Sequence, residues 1–95
     1  MSEPSQPLSF EKLIYEDYER GTQVKLVVSD YRQVEYLHIR KYYQSYDSGY
    51  LPTQEGVSIP ATLDAVYNLL DGLLELCSKA EAKEILSKYY KELNE

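Results

Sequence analysis

The sequence predicts an α+β domain in which about four strands precede two helices. Residues 22–43 alternate between apolar and polar side chains, as half-buried strands do. Residues 63–77 instead repeat apolar side chains at helical spacing. Ser78 and Glu81 then form a capping-box pattern that opens another helix. The chain has 95 residues, which favours a single domain.

The N-terminal part, residues 1–21, is predicted to be an acidic segment that is flexible in part. Residues 1–7 are mostly Ser, Pro and Gln and offer little to bury. Residues 8–20 leave two alternatives open, because their apolar side chains fit either a short helix or an extended edge segment. Gly21 marks a break before the first clear strand.

Two strands are predicted over residues 22–31 and 34–43, joined by a turn at residues 31–33. In the second strand the aliphatic side chains share one face, so the other face is predicted to be exposed. That other face presents a row of rings and one guanidinium group: Tyr36, His38, Arg40 and Tyr42. The neighbouring Tyr42 and Tyr43 point to opposite faces, so at least one of these two rings is predicted to lie in the core.

The second half of the chain completes the sheet and adds the helices. Short strands are predicted around Tyr50–Leu51 and Val57–Ile59, with Gly56 supplying a bulge or a close backbone approach. Pro60 suits the first turn of the next helix. That helix is apolar on more than one face, which indicates a second copy of the chain as a partner. Cys77, near its end, has the surroundings of a small core residue.

Charge and tyrosine content are unevenly distributed. The formal net charge is −6, which argues against a generic binder of polyanions. Residues 1–21 and 61–95 each carry −3, whereas residues 22–60 are neutral and contain six of the 11 tyrosines. With one Phe and no Trp, this excess of Tyr indicates aromatic rings at a wet surface.

Residues 22–77 are predicted to form the sheet-plus-helix domain, and residues 78–95 an additional C-terminal helix.

The composition argues against an enzyme. His38 is the only histidine and Cys77 the only cysteine, so no metal cluster of ordinary composition and no His-paired nucleophile is expected. No glycine-rich phosphate loop is present, and no cofactor is predicted. No apolar run approaches the roughly 20 residues of a membrane span, and the first residues lack the pattern of a signal peptide. An intracellular protein without membrane contact is therefore expected, in cytoplasm, nucleoid or nucleus, or in a host cell.

The predicted face of rings and cations indicates binding of single-stranded nucleic acid. Exposed aromatic rings stack on unpaired bases, and neighbouring Arg and Lys side chains neutralise phosphates. The alternative stays open, because Tyr alternates with charged residues on many solvated sheet faces. A lone histidine such as His38 is more often solvated or hydrogen-bonded than a ligand.

Three stretches carry a family resemblance: Ser29–Arg32, Tyr36–Tyr43 and Glu55–Ile59, followed by the Leu-rich helix. In this order and spacing the chain resembles the single-stranded-DNA-binding domain of the transcriptional coactivator positive cofactor four and its relatives. The resemblance implies a curved, four-stranded antiparallel sheet, a homodimer joined largely through the helices, and single-stranded DNA running over the sheets. It also implies that Tyr31 and Tyr43 stack on bases and that Arg32 and Arg40 are basic contact residues.

The resulting hypothesis is a homodimeric single-stranded-DNA-binding protein with little sequence preference, acting in transcription, replication or recombination. Its predicted binding residues are Tyr31, Arg32, Tyr36, Arg40, Tyr43, Lys25, His38, Lys41, Tyr46 and Tyr50. The family's basic loop corresponds here to Leu51–Glu55, which has no basic residue, and Ser29 stands where a basic residue is common. We therefore expect binding that depends more on stacking than on charge, with a shallow salt dependence.

Two other functions remain possible at this stage. The chain fits a protein-interaction or transcription-regulatory module whose DNA binding has weakened, with transcription or replication proteins as partners. The net charge of −6 favours this alternative. An acidic mimic of DNA that blocks a DNA-binding enzyme is the third possibility, and it requires one contiguous acidic face.

Overall fold

The structure is a computed structural model that describes residues 8–91. Its elements, in chain order, are strands β1 (Leu8–Asp17), β2 (Thr22–Tyr31), β3 (Val34–Gln44) and β4 (Tyr50–Pro60), then helices α1 (Leu63–Glu75) and α2 (Lys79–Ser87). The four strands form one sheet in the order β1-β2-β3-β4, and every neighbouring pair is antiparallel. The predicted α+β class, with an antiparallel four-stranded sheet followed by helices, is confirmed.

Strand β1 resolves the alternatives left open for residues 8–20, because Leu8–Asp17 is extended and pairs with β2. Its register shifts twice, between Leu8 and Phe10 and between Leu13 and Tyr15. Each shift inserts an extra residue, which breaks the alternation of side chains along the strand. This irregularity explains why the sequence pattern of β1 fits no simple period.

Strand β4 differs from its prediction. The two short strands expected around Tyr50–Leu51 and Val57–Ile59 belong to one strand, whose register against β3 shifts between Arg40 and Tyr42. Pro60 is the last residue of this strand and does not begin the helix, which starts at Leu63. A proline is tolerated there because an edge strand does not need every N–H group for pairing.

Gly56 makes the close approach predicted for it. Its φ of +152° is one that residues with a side chain rarely adopt, and it pairs with Arg40. A Cβ atom at this position would lie 2.5 Å from the carbonyl oxygen of Ile39. The shift in register of β4 therefore depends on a residue without a side chain.

The hairpin between β2 and β3 turns at Arg32 and Gln33, which have φ values of 53° and 67°. Two consecutive residues with positive φ are what a two-residue type I′ hairpin turn requires. Glycine and asparagine adopt this conformation most easily, so Arg and Gln hold it at a cost of about 1 kcal/mol or more. The predicted turn is confirmed, and it is strained.

The chain divides into two compact units, one ending at Thr62 and the other beginning at Leu63. The domain boundaries at residues 21 and 77 stay a prediction. Within residues 8–91, neither helix is long and apolar enough to cross a membrane.

Helix α2 starts as predicted, whereas α1 buries none of its side chains in the described chain. The capping box before α2 is confirmed: the backbone N–H of Glu81 donates to Ser78 Oγ over 3.2 Å, and that of Ser78 to Glu81 Oε1 over 2.9 Å. The helix predicted for residues 78–95 ends at Ser87, and residues 92–95 lie outside the described residues. No residue of α1 is buried in the described chain, and Cys77 is exposed rather than part of a core.

Candidate nucleic-acid interface

The pairing of β2 with β3 defines the two faces of the sheet. Lys25 lies opposite Arg40, and Val27 lies opposite His38. Directly opposed residues of antiparallel strands point to the same side, and alternate residues of one strand do so too. We call this side the polar-aromatic face. Its members include Glu11 and Glu16 of β1; Gln23, Lys25, Val27, Ser29 and Tyr31 of β2; Tyr36, His38, Arg40 and Tyr42 of β3; and Tyr50 and Ser58 of β4.

The sheet curls toward the polar-aromatic face. The hydroxyl of Tyr50 on β4 donates to Glu16 Oε2 on β1 over 3.4 Å, although these are the two edge strands. In a flat sheet, strands three positions apart are separated by about 14 Å, and side chains stand roughly perpendicular to the sheet. Curvature brings the two edges together, and it also explains why Val27, at 3% exposure, is buried on this face. The curvature implied by the resemblance is thus present.

Six of the ten predicted binding residues share the polar-aromatic face: Lys25, Tyr31, Tyr36, His38, Arg40 and Tyr50. Arg32 lies in the hairpin turn at the end of this face, and its guanidinium carbon is 5.1 Å from the centre of the Tyr31 ring. The rings of Tyr36 and His38 are stacked, with centres 6.5 Å apart and planes inclined by 26°. Rings and cations therefore share one surface.

Three predicted residues lie elsewhere. Tyr43 pairs with Thr22 and Leu51 and so lies on the face opposite Tyr36 and Arg40, as the alternation along β3 predicts. Lys41 shares that opposite face, and its Nζ atom is 3.3 Å from Glu55 Oε1. Tyr46 is fully exposed in the loop between β3 and β4. Side chains alternate strictly along β3, and this alternation separates Lys41 and Tyr43 from Tyr36, His38 and Arg40.

Tyr42 is the buried member of the adjacent tyrosine pair. It lies on the polar-aromatic face, where exposure was predicted, yet only 7% of it is exposed. The Lys25 ammonium covers its ring, 4.6 Å from the ring centre. Burial raises the pKa of Tyr42, and the nearby Lys25 charge partly opposes that shift. The Tyr42 ring is therefore covered by other side chains of this face and is not available for stacking on a base.

His38 connects three strands on this face. Its Nε2 atom is 2.8 Å from Ser29 Oγ on β2, and its Nδ1 atom is 2.6 Å from Ser58 Oγ on β4. Desolvation lowers the pKa of His38 below 6.5, and the Arg40 charge lowers it further. At neutral pH the imidazole is therefore uncharged, with one nitrogen donating and the other accepting. As predicted, this histidine is hydrogen-bonded, and it adds no positive charge.

Two carboxylates on this face are not apparent from the sequence. Glu11 Oε2 lies 2.6 Å from Lys25 Nζ, and the Gln23 amide donates to Glu16 Oε2 over 3.0 Å. Desolvation and the neighbouring Glu16 charge both raise the pKa of Tyr50, which keeps its hydroxyl protonated. These contacts could not be found from the sequence, because the pattern of residues 8–20 fits either a short helix or an extended edge segment and so gives no pairing register.

The arrangement offers rings for stacking, two cationic side chains and two carboxylates on one curved surface. Lys25 and Arg40 supply the positive charges, and Glu11 and Glu16 supply the negative ones. Among residues 8–91 no group of three or more His, Cys, Asp and Glu side chains is arranged to hold a metal ion. The surface therefore combines aromatic rings with nearly balanced charge.

Fold and site together define a small sheet-plus-helix protein with one curved aromatic and cationic surface. A family model described as Transcriptional Coactivator p15 (PC4) matches residues 18–66, which is 49 of the 95 residues. The chain belongs to this family, and the resemblance found in the sequence is confirmed. The family is described by a transcriptional role and not by an enzymatic activity. The match covers β2, β3 and β4 and ends within α1.

A solved structure extends the likeness beyond the family match. It is described as the bacteriophage T5 homologue of the eukaryotic transcription coactivator PC4 implicated in recombination-dependent DNA replication. The two chains are 28% identical, with a TM-score of 0.64, and the comparison covers 90% of this chain and 96% of the phage chain. A search of the curated proteins found no match.

Proposed function

We propose that this protein binds single-stranded DNA on the polar-aromatic face, with little sequence preference, and acts in transcription, replication or recombination. The observation that carries the proposal is the alignment of Tyr31, Tyr36 and Arg40 on one curved surface. Unpaired bases stack on such rings whatever their identity, because every base has a π-face. The transcriptional description of the family and the replication role of the phage homologue support the same assignment.

The working form is a homodimer, and the protein acts inside a cell, where its nucleic acid is found. Helix α1 supports the dimer, because it leaves large apolar side chains exposed along its length: Leu63, Val66, Tyr67, Leu70 and Leu73. A small domain gains stability when such side chains are covered by a second copy. Light scattering with and without single-stranded DNA measures the oligomeric state and binding together.

Fluorescence anisotropy with a labelled oligo-dT, titrated with salt from about 50 mM, tests the DNA-binding proposal. Binding should be measurable at low salt and should fall only gently as salt increases, because few phosphate contacts are available. Arg40→Ala should weaken binding. A folded protein that ignores oligo-dT at low salt contradicts the proposal.

A protein-interaction module is the second candidate function, and one observation favours it. Lys25 and Lys41 are both ion-paired with glutamates, so half of the four basic residues between residues 22 and 60 are neutralised. Under this alternative the same face contacts a transcription or replication protein, and DNA affinity has weakened. Arg40→Ala and Tyr36→Ala would then leave oligo-dT affinity at the wild-type level, whatever that level is.

A further inference from the structure

Lys25 is a largely enclosed cation of the polar-aromatic face. Only 17% of its side chain is exposed, and its ammonium group lies between the Glu11 carboxylate at 2.6 Å and the Tyr42 ring at 4.6 Å. The Glu11 side chain is more open, with 46% exposed. The ammonium therefore already has an anionic oxygen in the position that a phosphate oxygen would take.

Arg40 lies directly opposite Lys25 on β3, but the two cations differ in their contacts with carboxylates. Within residues 8–91, the ion pairs shorter than 4.0 Å involve Arg20, Lys25 and Lys41 but not Arg40. Arg40 can meet a phosphate at once, whereas Lys25 can do so only by leaving Glu11. Two neighbouring cations of one surface thus differ in availability because β1 supplies a carboxylate to one of them.

We propose that Glu11 competes with nucleic-acid phosphates for Lys25 and thereby makes binding on this face depend on bases rather than on charge. The inference rests on the proposed function. Glu16, the second carboxylate of the face, adds to the effect, since it repels any polyanion that approaches the end of the sheet where it bonds Gln23 and Tyr50. A polyanion without bases gains no stacking energy to offset this repulsion.

The consequence is a specificity that charge alone would not provide. Counterion release makes any cationic groove attractive to every polyanion, in proportion to the number of phosphates neutralised. A face with two cations and two carboxylates attracts polyanions weakly, and stacking on Tyr36 and its neighbours then decides which ligand stays. β1 is therefore a specificity element and not only the edge of the sheet.

The test compares two labelled oligonucleotides of equal length, oligo-dT and an abasic strand, by anisotropy over a range of salt concentrations. In Glu11→Gln, affinity for the abasic strand should rise about three- to tenfold, and the slope of log affinity against log salt should steepen by about 0.7. Oligo-dT should gain less, so the preference for bases should shrink. The control is Glu35→Gln, which removes an exposed carboxylate from the opposite face.

Two further variants keep the test decisive. Adding Lys25→Gln to Glu11→Gln should restore the wild-type salt slope, because the freed cation is then absent. Glu11→Asp, which withdraws the carboxylate by one methylene, should shift both affinities in the same direction by less. Thermal unfolding confirms that each variant is folded.

The outcomes separate the inference from the proposed function. If the wild type binds oligo-dT and Glu11→Gln keeps the wild-type slope and preference, only the role of Glu11 is overturned. If neither the wild type nor Glu11→Gln binds oligo-dT, both the function and the inference are overturned. A steeper slope that the added Lys25→Gln reverses supports both.

Discussion

Tyr50 and Glu16 lie on opposite edge strands of the sheet, yet the Tyr50 hydroxyl donates a hydrogen bond to the Glu16 carboxylate over 3.4 Å. The bond closes the polar-aromatic face at one end, where Gln23 donates to the same carboxylate oxygen over 3.0 Å. A sheet of four strands has two free edges, and here a side-chain contact ties them across the concave surface. The curvature of the face is therefore stabilised by an identifiable hydrogen bond.

Removing the hydrogen bond between Tyr50 and Glu16 should destabilise the curved sheet. We expect Tyr50→Phe, which keeps the ring and loses the donor, to lower the unfolding midpoint. Glu16→Gln should do the same, and the double variant should be less destabilised than the sum of the two. Urea unfolding of the four proteins measures this coupling. Strict additivity would show that the two side chains do not interact in solution.

His38 should make stability depend on pH in a defined direction. Its pKa in the folded protein lies below 6.5, so the unfolded chain binds more protons as pH falls through 6.5. The contribution of His38 is complete above pH 6.5 and is lost as pH falls toward its folded pKa. Unfolding free energies measured across this range for the wild type and His38→Gln should differ in slope, with the wild type the steeper. Equal slopes would contradict the prediction.

Gly56 should tolerate no side chain. Gly56→Ala places a Cβ atom 2.5 Å from the Ile39 carbonyl oxygen at a φ of +152°, so β4 must shift its backbone. We expect a loss of more than about 1 kcal/mol in unfolding free energy, measured with urea. The matched control is Gly72→Ala in α1, where an added Cβ atom would meet nothing within 4 Å beyond the backbone of its own helix and the adjacent residues. That change should stabilise the helix by about 0.5–1 kcal/mol.

Replacing the strained turn residues of the hairpin should raise the stability of the protein and lower its affinity for DNA. Replacing Arg32 and Gln33 by Asn and Gly suits the positive φ values of 53° and 67°, so the unfolding free energy should rise by about 1 kcal/mol. The same change removes the guanidinium that lies over Tyr31, and affinity for oligo-dT should fall. Gln33→Gly alone separates the two effects, because it relieves strain and keeps Arg32. Unchanged affinity in the double variant would remove Arg32 from the site.

Tyr36 should contribute to binding through stacking. Tyr36→Ala is expected to weaken oligo-dT binding by about 1–3 kcal/mol, whereas Tyr36→Phe keeps most of the affinity because the ring remains. Tyr15, an exposed tyrosine that pairs with Val24 on the opposite face, provides the control in Tyr15→Ala. Tyr43→Ala should behave like this control, since Tyr43 shares that face. A larger effect at Tyr43 than at Tyr36 would place the DNA on the other surface.

The predictable part of the site came from local patterns. Alternation along residues 34–43 was enough to set Tyr36, His38 and Arg40 on one face, and the spacing of Ser78 and Glu81 was enough for the capping box. Tyr43 entered the predicted site through the family resemblance, and the alternation along β3 puts it on the face opposite Tyr36 and Arg40. Tyr42 was expected to be exposed, since nothing in its own strand shows that Lys25 covers it.

The sequence by itself determined the alternating strands β2 and β3, the turn between them and the capped helix, because each depends on neighbours within a few residues. It also determined the family, because the order and spacing of the matching stretches can be compared without a structure. Only the tertiary structure decided what the face contains. The two register shifts in β1 bring Glu11 to Lys25 and Glu16 to Gln23, and curvature carries Tyr50 to Glu16. Such contacts join residues 7 to 34 positions apart, and they follow from pairing register and sheet curvature.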